Sequence, residues 1–382
     1  MQNALLPNGL QDSLPPDAAF EAAVEADILS TFAASGYDRV SPPLAEFEES
    51  LLTGQGAATA QQTFRLMDPI SQRMMGVRPD MTVQVARIAA TRLSRVPRPL
   101  RLSYAGPVLR VRGSQLRPER QFSQAGAELI GAATPEADAE VIALAVEALD
   151  RVGVKGLSVD LGMPVLVPTF LSALGAEGVD PAEVRVALDR KDSAAIAALP
   201  AAVSEILLPL LNAAGPLNRA LPLLTALALP PDAQEACATL TTTAALLRKH
   251  LPKLAITIDP VENRGYEYHT GATYTVFALG ARGELGRGGR YTVGGEPAAG
   301  ITLFMDSVLR AVPEPKPTQK LFLPYGTPRE DGEALRQQGW CTVAQLDAAK
   351  DPAKEARQLK CSHLLQKGAP VALSETSSGS EA

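Results

Sequence analysis

Apolar residues recur every four positions at Phe20, Val24, Ile28 and Phe32, which is one face of an amphipathic helix. The segment Asp12 to Gly36 opens on "DSLPPD", a helix start, and closes on a glycine. "YDRVSPPLAEFEE" then reads as a strand stopped by Pro42 and Pro43. Short alternating segments follow: "QTFRLMD", "QRMMGVRPD", "RPLRLSYAGPVLRVR" and "RQFSQAGAELIG". The helical period of "MTVQVARIAATRLS" interrupts them, and "TPEADAEVIALAVEALDRVG" reads as a capped helix ended by Gly153. Strands joined by short turns with helices between them predict a largely antiparallel sheet of the α+β class.

From residue 164 to residue 250 the pattern shifts to Ala, Leu and Pro with helical period, which predicts a helical insertion. Strands return at "KLAITIDPV" and across Glu262–Ala278, and "AAGITLFMDSVLRAV" reads as strand passing into helix. These elements assign residues 1–312 to one domain. "PEPKPTQK", residues 313–320, reads as a linker. Beyond it, residues 321–373 alternate strand and helix as a small α/β module, and 374–382 has the composition of a disordered tail.

Length and charge narrow the function classes. At 382 residues the chain suits two or three domains. A net charge of −6 gives no overall basic field, which lowers the expectation of nucleic-acid binding. The N-terminus lacks a positive region followed by an apolar run, so no signal peptide is expected. Prolines, Asn212 and Arg219 break the richest apolar stretch, so no membrane span is expected. Three scattered cysteines fit a reducing cytoplasm, and three histidines without ligand spacing argue against a metal. No cofactor motif is present, neither a Gly-Lys-Ser/Thr phosphate loop nor a Rossmann fingerprint.

Candidate chemistry lies in five places. A two-residue period puts Phe122, Gln124, Gly126, Glu128 and Ile130 on one strand face, where the glycine leaves room for a polar ligand. An exposed strand face accounts for the same pattern. Asp80 and Thr82 precede a helix and serve either as caps or as an ammonium site. Arg110 and Arg112 share a strand face and suit a carboxylate or phosphate clamp. In "RGYEYHTG", Arg264, Tyr266, Tyr268 and Thr270 share one face and Glu267 and His269 the other; a plain hairpin explains the tyrosines but not Arg264. "GELGRGGRYTVGG" is either an anion cradle or a set of turns. No Ser/His/Asp or Cys/His constellation is found.

Taken in order, these pieces resemble the catalytic domain of histidyl-tRNA synthetase, a class II synthetase. "GLQDSLPPDAAFEAAVEADILSTFAASGYDRVSPPLAEFEE" is similar to its first, dimer-forming motif, and "VRPDMT" to its Leu-Arg-Pro-Glu-Gly-Thr segment. "YAGPVLRVRGSQLRPERQFSQAGAELIG" resembles the second motif. "RGYEYHTG" and "GRGGRY" resemble the two histidine-binding segments, and "AAGITLFMDSVL" the third motif. The resemblance implies a class II synthetase-like antiparallel sheet flanked by helices. It also implies that Arg264 meets a ligand carboxylate, Asp80 and Thr82 its ammonium, and Gln124 and Glu128 the rest. Arg110 belongs to this site too, with Tyr268 and Tyr291 lining it.

The departures lie on the nucleotide side. The synthetases carry Arg-x-Glu where this chain has Arg110, Val111 and Arg112, and Gly-Leu-Glu-Arg where it has Phe304, Met305, Asp306 and Ser307. Losing one preorganised donor typically costs about 10²- to 10³-fold in rate, so aminoacylation is not expected. His269 stands where the synthetases have a tyrosine. The combination resembles the regulatory subunits of ATP phosphoribosyltransferase, non-catalytic synthetase relatives of histidine biosynthesis. That resemblance implies a partner, the short-form catalytic subunit, and self-association as a homodimer within a hetero-octamer. It also implies free histidine as a feedback effector. The rival readings are a truncated, active histidyl-tRNA synthetase and a synthetase-like protein acting on tRNA or on another protein.

Overall fold

The computed structural model describes residues 5–52, 54–113, 117–175, 179–262, 268–315, 318–348 and 350–373. The four-residue spacing near the N-terminus forms helix α1, Asp17–Ala34, with Val24, Ile28 and Phe32 buried. It starts later than "DSLPPD" suggests, after Pro16; Gly36 ends it with a positive φ of 81°. Next come β1 (Asp38–Arg39), β2 (Ala45–Phe47), α2 (Glu48–Leu51), β3 (Phe64–Met67), β4 (Met74–Val77) and α3 (Thr82–Thr91). Pro42 and Pro43 have no N–H for a ladder, so "YDRVSPPLAEFEE" divides into the two short strands β1 and β2. Then follow β5 (Leu100–Leu109), β6 (Gln121–Ile130), α4 (Pro135–Arg151) and β7 (Leu157–Gly162). Thr134 precedes α4 without a capping side-chain bond, unlike the capped start that the sequence suggests.

The stretch 164–250 holds α5 (Leu166–Leu174), α6 (Pro181–Asp189), α7 (Ser193–Ala197), α8 (Ala201–Ala213), β8 (Gly215–Pro216), α9 (Leu217–Thr225) and α10 (Pro231–His250). Its side chains Phe170, Leu207, Leu240 and Leu247 share one core with Ile142 and Leu149 of α4 and Ile28 of α1. The helices therefore extend the main core and do not build a separate one. The chain returns through β9 (Ala255–Asp259), β10 (Thr273–Ala278), β11 (Gly286–Val293), β12 (Glu296–Phe304) and α11 (Met305–Ala311).

A nine-stranded sheet in the order β1-β5-β6-β12-β11-β10-β7-β9-β8 organises this unit. From β5 to β7 every pairing is antiparallel; β1 on β5 and β7 on β9 are parallel. Alternation along β6 separates two cores. Ala125, Ala127 and Leu129 face α1 and α4, whereas Phe122 and Ile130 join Met81, Val85, Tyr104 and Tyr291 on the other side. The candidate site lies on that second side. A small sheet, β2-β4-β3, precedes α3.

Contacts divide the chain into Met1–Pro313 and Glu314–Ala382. The second unit contains β13 (Lys320–Leu323), α12 (Arg329–Gln337), β14 (Cys341–Ala344), α13 (Pro352–Gln358), β15 (His363–Gln366) and β16 (Ala369–Ala372). Lys320, read from sequence as linker, is the first residue of β13. The sheet order is β14-β13-β15-β16, and β13 runs parallel to both neighbours. Phe322 packs with Ala356 and Leu364, while Leu321 and Leu323 pack with Leu335, so each face of β13 has its own small core. The expected tail, 374–382, lies outside the described residues. Among the described residues no helix is long and apolar enough to cross a membrane, and no His, Cys, Asp or Glu group gathers as metal ligands.

Candidate functional site

Register explains how the Glu128 carboxyl lies against the sheet. Glu128 of β6 faces Leu102 of β5 on one side and Gly300 of β12 on the other; Gly300 in turn faces Gly289 of β11. Two adjacent glycines let neighbouring side chains lie against the strands. A Cβ built at Gly300 would lie 1.6 Å from Glu128 Oε2, so the Glu128 side chain occupies the space that a residue at 300 would fill. A Cβ at Gly289 would lie 2.4 Å from His269 Cδ2, which places the His269 ring over the second glycine. Tyr268 lies against that ring with centroids 4.1 Å apart.

Glu128 is 1% exposed. Tyr291 Oη donates to Glu128 Oε2 at 2.6 Å and Tyr104 Oη to Oε1 at 3.2 Å. Tyr104 also shares hydrogen bonds with Thr302 at 2.8 Å and Thr82 at 3.2 Å. Burial pushes the Glu128 carboxyl up to about 8; the nearby Asp80 charge adds to this, and the Tyr291 bond opposes it. The same burial raises Tyr104 and Tyr291 well above the usual phenol range.

A second polar cluster adjoins this one. Asp80 Oδ1 accepts the Thr82 backbone N–H at 2.9 Å, and Asp80 Oδ2 accepts Gln124 Nε2 at 2.9 Å. Gln124 Oε1 accepts the Met81 N–H at 3.1 Å. Asp80 therefore both fastens the start of α3 and anchors the Gln124 amide. Each of its oxygens keeps a further acceptor direction. Of the two roles the sequence offers Asp80, the structure shows the one at the start of α3.

The structure brings Asp80, Thr82, Gln124, Glu128 and Tyr291 together and adds Tyr104 and Thr302, which the sequence reading passed over. Their signal was Gly126. A Cβ there would strike the Tyr104 ring at 2.3 Å, so the glycine marks a tyrosine crossing the next strand.

Three expectations change. β5 ends at Leu109, so Arg110 and Arg112 lie past the strand and do not share its face. Arg110 Nε donates to the Pro79 carbonyl at 3.1 Å and its guanidinium sits 5.0 Å from the Phe122 ring centroid; burial lowers its pKa. Arg112 faces a cleft of about 520 Å³ that Arg117 and Phe122 also line. The glycine-rich segment is strand over Gly286–Val293 (β11), where Gly288 and Gly289 admit Tyr274 and His269 against the backbone, and a turn at Gly294 and Gly295, both with positive φ. The strand expected over Glu262–Ala278 is β10 only, and Tyr268 to Thr270 lie outside it. Arg264, Tyr266 and Glu267 lie outside the described residues.

At the third-motif position, Asp306 holds Arg117 Nε at 3.0 Å and Arg310 at 3.4 Å; both guanidiniums also reach Ser307 Oγ. A carboxylate thus takes up the two cations nearest Ser307.

Gly300→Ala is expected to push the Glu128 carboxyl off Tyr291. The overpacking should destabilise the chain by about 1–3 kcal/mol, read as a shift in the urea midpoint at unchanged slope. An unshifted midpoint would mean that the carboxyl has room elsewhere.

Comparison with known proteins gives concordant matches. The family model described as histidyl-tRNA synthetase matches residues 9–308. The ATP phosphoribosyltransferase regulatory subunit of Paramagnetospirillum magneticum is 59% identical over 95% of this chain and 96% of its own length. That of Rhodospirillum centenum is 55% identical over 94% of both. A crystal structure described as an ATP phosphoribosyltransferase regulatory subunit/histidyl-tRNA synthetase from Bacillus halodurans superposes with TM-score 0.77 at 25% identity, covering 94% of this chain and 97% of that one. Histidyl-tRNA synthetase from Nostoc shares the fold, with TM-score 0.77 at 18% identity over 95% of this chain and 91% of that one.

Proposed function

The chain belongs to the family of ATP phosphoribosyltransferase regulatory subunits built on a histidyl-tRNA synthetase fold, and from that premise we propose that it is a non-catalytic regulator with a retained receptor for free histidine. It serves the first step of histidine biosynthesis, as partner of a short-form catalytic subunit, and carries the feedback signal. The observation that carries the receptor reading is that the Asp80–Gln124 and Tyr104–Glu128–Tyr291 clusters are joined through the Thr82–Tyr104 hydrogen bond. Asp80 and Thr82 take the effector's ammonium, Glu128 and Tyr291 its ring, and Arg264 and Arg110 its carboxylate.

The nucleotide side supports the loss of aminoacylation. Arg112 stands where the synthetases have an acidic residue, and Asp306 pairs with both arginines beside Ser307. The chain pairs with itself through residues 12–50 and joins catalytic subunits in a hetero-octamer. Histidine acts by binding one state of that assembly better than another, since equal affinity would shift nothing.

Reconstitution tests this. The full chain is mixed with a short-form catalytic subunit, and phosphoribosyl transfer to ATP is followed with and without histidine. Activity should rise on adding this chain and fall with histidine, and the Arg264→Ala chain should be insensitive to histidine. Histidine-dependent ATP–pyrophosphate exchange by the pure chain would overturn the proposal.

A further inference from the structure

β5 and β6 stop pairing at Leu109 and Gln121, so Arg110 and Arg120 are the first residues beyond the ladder. Arg120 nonetheless holds the Arg110 backbone by both its polar groups. The Arg110 N–H donates to the Arg120 carbonyl at 2.7 Å, and Arg120 Nε donates to the Arg110 carbonyl at 3.2 Å. Arg120 therefore carries the ladder one residue past its end, with main chain on one bond and side chain on the other.

The N-terminal segment holds Arg120 in turn. The Arg120 N–H donates to the Gly9 carbonyl at 2.8 Å, and Nη1 donates to the Asn8 carbonyl at 3.1 Å. The guanidinium sits 5.0 Å from the ring centroid of Phe64 in β3. Gly9 is required for two reasons. Its φ of 77° lies in the left-handed region, and a Cβ there would be 2.8 Å from Arg120 Cγ and 2.9 Å from Cδ. The arginine stem thus lies against the bare glycine.

These contacts lead to the candidate site. Arg110 Nε donates to the carbonyl of Pro79, the residue before Asp80. Clefts of about 730 and 520 Å³ flank this part of the chain, and Val111, Arg112, Gly113 and Glu119 line both. With space on two sides, its position depends on the bonds along it. Beside the Arg120 contacts these include the Val111 N–H to the Gln62 carbonyl at 2.9 Å and the Arg117–Asp306 pair. A binding group has to be held within about 0.5 Å of its working position, and a residue past a strand end needs outside support to achieve that.

We propose that Gly9 and Arg120 form a clasp that positions Arg110, so that histidine binding depends on the N-terminal segment. This rests on the reading of Arg110 as a partner of the effector's carboxylate. Arg120 is a positioning residue: it acts through the Arg110 backbone.

Histidine calorimetry on the full chain, alone and assembled with the catalytic subunit, tests the clasp. Gly9→Ala sets a methyl against the Arg120 stem, and Arg120→Lys keeps the charge but loses the fork. Each should weaken binding about 2- to 30-fold, with circular dichroism confirming the fold. A double-mutant cycle decides the route. In the Arg110→Ala chain, where Arg264 keeps the carboxylate partnered, Gly9→Ala should cost no further affinity. An undiminished loss in that background would overturn the positioning role and leave the receptor reading intact, as would unchanged affinity in both single variants. Exchange of the Arg110 amide hydrogen, read without ligand, should quicken in both variants; unchanged exchange would show that no clasp exists. No histidine binding by the unaltered chain, alone or assembled, would remove the receptor reading and the positioning role together.

Discussion

Replacing Glu128 by glutamine should make the ligand-free chain more stable, by about 3 kcal/mol at pH 7. The folded-state value, about 8, lies above the ordinary carboxyl value near 4.5 because burial opposes the charge. A group raised in this way contributes stability that is fully present below about pH 4.5 and is lost as pH rises to about 8. Each pH unit in that interval removes about 1.4 kcal/mol. Glutamine does not titrate, and its amide can donate to one tyrosine oxygen while its carbonyl accepts from the other. The variant's advantage should therefore be absent at pH 4, grow steadily through neutrality and level off near pH 8. Trp340, the chain's one tryptophan, lies in the second unit, so denaturation should be followed by circular dichroism rather than fluorescence. An advantage that does not change between pH 5 and pH 8 would refute the burial argument. The same substitution should weaken histidine binding, which makes Glu128 a residue kept at a cost in stability.

What the sequence made legible were features with a local period. The spacing of Val24, Ile28 and Phe32 carried α1, and alternation from Phe122 to Ile130 placed Gln124 and Glu128 on the face of β6 that meets Asp80 and Tyr104. What it hid depended on register between distant strands. Nothing near Tyr104 in the chain says that its hydroxyl meets Glu128, and nothing near Gly300 says that its missing side chain makes room for that carboxyl. The glycines of "GELGRGGRY" look like turn residues locally. Only the neighbouring Tyr274 and His269 show that they thin a strand, letting aromatic rings lie against it. Arg110 fell off the expected face because β5 stops one residue before it. Sequence thus gave most of the chemistry of the candidate site and little of its geometry.

Arg290→Ala is the substitution expected to cost most, about 3–5 kcal/mol. Arg290 and Asp138 are both buried, and Asp138 is 0% exposed. The guanidinium donates to Asp138 Oδ2 at 2.7 and 3.2 Å, and to the carbonyls of Ala132 and Thr134 at 3.1 and 2.7 Å. Alanine leaves those carbonyls and a buried carboxyl without their donor. Even with the arginine present, burial outweighs the attraction and pushes Asp138 up to about 6. Without it the value must rise further, and the carboxyl stays protonated at neutral pH. Stability held by such a raised group is present below about pH 3.8 and lost as pH increases. The variant should therefore be damaged less at pH 5 than at pH 8, and Asp138→Leu in the same chain should restore part of the loss. A consequence at the candidate site follows from packing. A Cβ on Gly271 would lie 2.7 Å from Arg290 Cδ, so the arginine stem is the bed for the segment that carries Tyr268 and His269. Denaturation at the two pH values should show the unequal loss, and histidine calorimetry should show weaker binding by the folded fraction. Equal losses at pH 5 and pH 8 would mean that Asp138 finds another partner, and undiminished affinity would detach the aromatic segment from its support.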